Sequence, residues 1–224
     1  VVCTVLILVR LPILKSEKRI ESFTSRESGF LFNNVIFLVI CFAVFWGTIF
    51  PVLSEAVRGE KITVGAPFFN QVNVPIGLLL LLFTGIGPLL AWRRTSNQAF
   101  VRNFTLPILT GLIVFIACFI LGIRNTTLVS FPLVGFVLAA ILTEFQRGIR
   151  SRTSRFNESI FVALKTLISK NRSRYGGYIV HLGIVFMFIG FSGNAFDSEL
   201  EFALKKGEVK EFDGYNFELE IGRA

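Results

Sequence analysis

Six stretches of this chain stay apolar for most of the thickness of a lipid bilayer, and no water-soluble fold can hide so many. They are Val1–Leu14, Phe30–Leu53, Val74–Trp92, Phe104–Ile123, Leu128–Phe145 and Tyr178–Phe196. A helix crosses the hydrocarbon core with about 20 apolar residues. In lipid every backbone N–H and C=O must be satisfied inside the protein, so unbroken runs of this length read as helices. The expected fold is an all-α polytopic membrane protein of about six transmembrane helices. Composition agrees: 53% of the 224 residues are apolar and 26 are Phe. Gly85, Gly87, Pro88, Pro107, Gly111, Pro132 and Gly135 fall inside the runs, where neighbouring helices re-satisfy the backbone.

The chain opens at Val1 within an apolar run, with no basic n-region and no cleavage site, so that run is not a signal peptide. The tail stops within strand-like sequence. Both ends give the expectation of a piece of a longer protein. Cys3, Cys41 and Cys118 all lie in apolar runs, and no CxxC or CxxCH occurs. That excludes a thiol oxidoreductase and a c-type cytochrome, and leaves the cysteines as small helix-packing residues.

Charge orients the runs. The connections after the first, third and fifth spans hold 16 of the 23 basic residues, and the other side holds 7. The positive-inside rule places the 16 in the cytoplasm and both chain ends outside. The net charge of +8 is thus a topology signal, and no nucleic-acid module accompanies it. Within the last basic connection, FNESIFVALKTLISK carries Ile160, Phe161, Leu164, Leu167 and Ile168 at the spacing of an amphipathic helix on the inner membrane surface. Lys165, Lys170 and Arg172 are placed to meet anionic lipid headgroups.

From residue 197 to 224 polar and apolar residues alternate, with turn signals at Lys206-Gly207 and Asp213-Gly214. This reads as the start of an extracytoplasmic β domain. It holds 8 acidic residues against 4 basic ones. That surplus fits either a solvated strand face or a docking surface for a basic partner.

One residue in the runs stands out chemically. GGYIVHLGIVFMFIG contains His181, the chain's only histidine. An ionisable ring in lipid needs a partner and marks a candidate site. On a helical wheel Arg174, Gly177, Tyr178, Ile184, Val185 and Phe188 share its face, while Gly176, Gly183 and Gly190 form a separate stripe for close helix contact. Gly177, one turn before the histidine, leaves room for a flat ring, and a neutral imidazole in an apolar slot is a common haem ligand. Arg174, two turns away, is placed to pair with a haem propionate. Two other roles stay open: a hydrogen bond from His181 to a neighbouring helix, and Arg174 as a positive-inside anchor. A second candidate is GAPFFNQVNVP, residues 65–75, read as an outward loop stiffened by Pro67 and Pro75. Phe68, Phe69, Asn70 and Gln71 there fit either an interfacial aromatic belt or a rim that grips haem or a partner. No phosphate loop, zinc site or nucleophile–base triad is present.

The run FAVFWGTIFPVLSEAVRGEKITVGAPFFNQVNVPIGLLLLLFTGIGPLLAWRR, with RYGGYIVHLGIVFMFIGFSG and a β-rich tail, resembles the CcmF/CycK/CcsA family, in particular its C-terminal part. The resemblance implies a membrane subunit of the bacterial haem lyase of cytochrome c maturation, in the inner membrane. It implies haem accepted from the haem chaperone CcmE, a CcmH-type presenting subunit, and covalent attachment of haem to the CxxCH thiols of apocytochrome c. It also implies a structural haem b held by two membrane histidines, one matching His181, as a redox relay. The chain departs from the family pattern in lacking its tryptophan-rich segment, with only Trp46 and Trp92, and in having no second histidine. The substrate-haem site is then expected upstream, and this stretch alone is expected to be inactive. Two rivals are a secondary transporter, for which no internal repeat is found, and a quinone-binding respiratory subunit.

Overall fold

A computed structural model of the chain describes residues 2–14, 25–91, 96–124, 126–193, 207–212 and 214–218. Among these are seven helices and a two-stranded sheet. The helices are α1 (Val2–Leu14), α2 (Arg26–Arg58), α3 (Ala66–Leu89), α4 (Asn97–Ile120), α5 (Thr127–Phe156), α6 (Ile160–Lys170) and α7 (Arg172–Gly193). Five of them, α2, α3, α4, α5 and α7, are long and apolar enough to cross a membrane. The chain is a multi-pass membrane protein. The first apolar run is helical too, but α1 has 13 residues, short of a full crossing by itself.

Local signals explain where the helices start and stop. Ser25 caps α2, its Oγ accepting from the Ser28 amide at 3.2 Å, and Glu27 complements the positive helix end. Gly59 closes α2 at a φ of 70°, donating its N–H to Glu55. Ser96 caps α4, and Asn157 ends α5 in the left-handed region. The stretch read as an outward loop, residues 65–75, differs from that expectation. Residues 66–75 form the opening turns of α3, because Pro67 occupies a first-turn position where no N–H is needed.

The bundle is arranged around α5, which packs on α3, α4, α6 and α7. Val137, Ala140 and Ile141 of α5 are fully buried among Leu81 and Leu89 of α3, Phe104 of α4 and Val185 of α7. Lipid supplies no hydrophobic drive between helices, so close approach matters. A Cβ at Gly85 would lie 2.7 Å from the Phe136 ring, and one at Gly111 3.1 Å from the Pro132 carbonyl oxygen. The stripe expected to pack, Gly176, Gly183 and Gly190, does not: a Cβ on any of them meets nothing within 4 Å among the described residues. The glycines that seat helices are instead Gly85, Gly111, Gly135 and Gly148, which face α5 or lie on it, and Gly47, which seats α3 on α2.

Short α6 fits the corner between α5 and α7. Ala163 and Leu167 are buried there, with Leu164 and Ile168 half-buried, whereas Ile160 and Phe161 point away from the protein. The apolar stripe read from sequence is therefore split, one part packing inward and the other exposed. In the tail, Val209–Phe212 and Tyr215–Glu218 form an antiparallel hairpin, β1 and β2, with Gly214 in its turn at a φ of 79°. Residues 197–206, 213 and 219–224, which hold five of the tail's eight acidic residues, lie outside the described residues.

Candidate functional site

The side chains around His181 close a cavity of about 450 Å³ between α2, α3 and α7. Helix α7 contributes Ser173, Arg174, Gly177, Tyr178 and His181, spaced three and four apart as one helical face requires. Helix α2 adds Arg26, Gly29, Phe30 and Asn33, and α3 adds Phe83, Thr84, Gly87 and Pro88. All four residues predicted on α7, namely His181, Arg174, Gly177 and Tyr178, are thus brought together.

The His181 ring is half-buried, and its Nδ1 is buried with no hydrogen-bond partner among the described residues. Buried polar atoms are normally satisfied, so an orphaned one needs an explanation. A Cβ built on Gly177 meets nothing within 4 Å, which leaves the wall beside the histidine flat. Arg174 lies seven residues before His181, about 10 Å along the helix. An imidazole, a flat glycine wall and guanidinium groups at one end fit a planar iron macrocycle with carboxylate edges.

Arg174 already has a protein partner. Its Nη2 donates to Glu144 Oε2 of α5, its Nε donates to Tyr178 Oη at 3.1 Å, and Tyr178 Oη donates to the same Glu144 oxygen at 3.4 Å. Arg147 Nη1 completes the set on Glu144 Oε1 at 3.2 Å. The Glu144 side chain is 7% exposed and that of Arg174 is 51% exposed. The pairing leaves the Arg174 side chain half-exposed on the cavity wall.

Sequence reasoning missed two residues here. Glu144 is the only acidic residue inside the six apolar runs, and that was its signal. Arg26 counted only as a topology charge. It turns back on α3, donating from Nε to the Gly87 carbonyl at 3.3 Å and from Nη2 to that of Pro88 at 3.2 Å. A cation there complements the negative end of α3 and walls the cavity.

The proposed outer rim lies elsewhere. Phe68 and Phe69 are in the first turn of α3, about 20 Å along that helix from Phe83. Both are half-buried against α2, where a Cβ on Gly47 would come within 2.8 Å of the Phe69 ring and 2.9 Å of Phe68. Their packing partner is a helix of this chain. Asn70 and Gln71 beside them are exposed.

No family model matches the chain, and no solved structure matches it. Curated relatives do. It is 31% identical over 199 residues to the cytochrome c-type biogenesis protein CcmF of Haemophilus influenzae, covering 87% of this chain and 30% of that protein. CcmF of Pseudomonas fluorescens is 30% identical over 214 residues, covering 95% of this chain and 31% of the relative. The cytochrome c-type biogenesis protein CycK of Bradyrhizobium diazoefficiens is 29% identical over 200 residues, covering 88% and 30%. The chain spans about a third of the length of the curated relatives it matches.

Proposed function

This chain belongs to the CcmF/CycK family of cytochrome c-type biogenesis proteins, and from that premise we propose that it handles haem for cytochrome c maturation. The observation that carries the reading is His181, whose buried Nδ1 is unpaired on the wall of a cavity ending in cations. His181 holds the iron of a b-type haem, Gly177 and Tyr178 flank the ring, and Arg174 shares its guanidinium between Glu144 and a propionate. When bound, such a haem supplies one-electron transfer that keeps substrate iron reduced for attachment to the CxxCH thiols of apocytochrome c. The chain's own part would be to supply one imidazole from His181, exclude water with Phe30 and Phe83, and neutralise the carboxylate edge with Arg174. The chain holds one histidine, so any second imidazole on such a haem would come from outside these 224 residues.

In this reading the partners are a CcmE-type haem chaperone, a CcmH-type presenting subunit and apocytochrome c. The protein sits in the bacterial inner membrane with the β hairpin outside and α6 on the inner surface. The test is His181→Ala in the protein as the cell makes it. The variant should lose the b-type absorbance and the covalent cytochrome c product together, at unchanged protein level. A normal bis-imidazole spectrum in the purified variant overturns the assignment. Loss of bound quinone instead of haem would point to the respiratory alternative.

A further inference from the structure

Arg26 is the first residue of α2, and both its backbone and its side chain turn onto the end of α3. Its N–H donates to the Ala91 carbonyl at 2.9 Å, its Nε to that of Gly87 at 3.3 Å and its Nη2 to that of Pro88 at 3.2 Å. The last carbonyls of a helix lack partners within it, so these bonds both satisfy α3 and fix the guanidinium plane. A guanidinium has five N–H donors, and the two carbonyls take only part of that set. The others sit on a partly buried group, and among the described residues no carboxylate pairs with it. The negative end of α3 offsets about half a unit charge. A cation withdrawn from water and left unpaired is costly, so the remainder calls for an anion.

The position of Arg26 says where that anion lies. It lines the His181 cavity together with Arg174, and the described residues of that wall include no carboxylate. The arginines come first on α2 and α7, and Asn33 and His181 follow seven residues later, about 10 Å along each helix. Phe30 and Phe83 line the same space. The cavity thus has a cationic end, apolar walls and an imidazole. Arg174 divides its donors with Glu144 and Tyr178. Arg26 has no such competitor, so an acidic ligand finds the more available donors there.

We propose that Arg26 and Arg174 form a two-point clamp, each guanidinium taking one of two carboxylates on the macrocycle held by His181. The inference rests on the haem reading of this cavity, and adds that the ligand enters as a dicarboxylate with both acids free. Guanidinium and carboxylate match as parallel N–H donors and paired acceptor oxygens. A quinone headgroup is uncharged and would leave both cations without an anion, so this end of the cavity selects against it.

The test uses the protein as the cell makes it, produced without haem and titrated with iron protoporphyrin IX, its monomethyl ester or its dimethyl ester. In the unmodified protein affinity should fall about tenfold with each carboxylate blocked, as loss of a charged hydrogen-bonded pair requires. Monoester binding as tight as that of the free acid overturns the clamp without any variant. Arg26→Gln should weaken the free acid about tenfold and leave the dimethyl ester as it was. Arg26→Lys keeps the charge and should recover part of the loss. Equal weakening of acid and diester by Arg26→Gln overturns the inference, since Arg26 would then serve only to hold the end of α3. His181→Ala separates the clamp from the reading beneath it. If His181→Ala loses all three macrocycles while Arg26→Gln binds the free acid as tightly as the unmodified protein, the haem reading stands and the clamp fails. If His181→Ala binds all three as the unmodified protein does, the haem reading fails and the clamp with it.

Discussion

Glu144 of α5 and Arg174 of α7 meet 30 residues apart in sequence, the carboxylate buried and the guanidinium half in a cavity. This pair joins the bundle's central helix to the helix that carries the only histidine.

Glu144→Ala removes the acceptor for Arg147, Arg174 and Tyr178 together. It should destabilise the protein by about 1–3 kcal/mol, since the buried Tyr178 hydroxyl and two part-exposed guanidinium groups lose their shared acceptor. Glu144→Gln should cost less, because an amide oxygen still accepts. Denaturation midpoints in a fixed detergent check the order, and an unchanged midpoint for the Ala variant would sink this account of the pair.

Gly148 of α5 is the closest seat in the structure for Tyr175 and Leu167. An added Cβ would overlap Tyr175 Oη and lie 2.7 Å from Leu167. Gly148→Ala should destabilise by about 1–3 kcal/mol through overpacking. Gly183→Ala in this same chain should be near neutral or slightly stabilising, because its Cβ meets open space and alanine favours the helix. Thermal unfolding of the two variants side by side decides between packing and generic helix propensity.

Phe69→Ala should act on stability, at about 1–3 kcal/mol, because the half-buried ring fills the gap left by Gly47. Haem content per folded molecule should not change. A variant that keeps full stability but loses cytochrome c maturation would favour the rim interpretation.

Arg174→Ala should be milder than His181→Ala for haem occupancy. The ligand stays, while the cation near the carboxylate edge goes, so the measured potential should fall more than the amount bound. Redox titration of the purified variant reads this directly. Occupancy lost as completely as with His181→Ala would show that Arg174 holds the cavity together.

Orientation is tested by single cysteines in a background with Cys3, Cys41 and Cys118 replaced by Ala. Asn216→Cys on β2 should be labelled by an impermeant maleimide from outside the cytoplasm, and Ser154→Cys near the end of α5 only after permeabilisation. The opposite pattern would invert the assigned topology.

Much of the fold was legible because crossing lipid demands long apolar runs, and those runs are plain in the residue order. The α7 face was legible for a similar reason: Arg174, Gly177, Tyr178 and His181 are local, and helix periodicity places them together. Residues 65–75 misled because Gly, Pro and Asn are turn residues, whereas Pro67 in a first turn starts a helix as readily as it ends a loop. The Gly176, Gly183 and Gly190 stripe misled because spacing says which residues align, without saying that a neighbour is there. The Glu144–Arg174 and Arg26–α3 contacts stayed hidden because they join positions 30 and about 60 apart, although Glu144 itself was marked as the acidic residue inside an apolar run.

Helix α7 is also tied to α5 at its far end, where Ser192 Oγ donates to Ser130 Oγ at 2.6 Å and Thr127 Oγ1 donates to the Ser192 carbonyl at 3.4 Å. With Glu144 and Arg174 at the other end, the two helices are joined like uprights with a rung at top and bottom. A helix held at one point can roll about its long axis; one held at two points, about 27 Å apart, cannot roll without breaking one of them. His181 sits between the rungs, so the compass bearing of its ring is set by serines and a glutamate that never touch it.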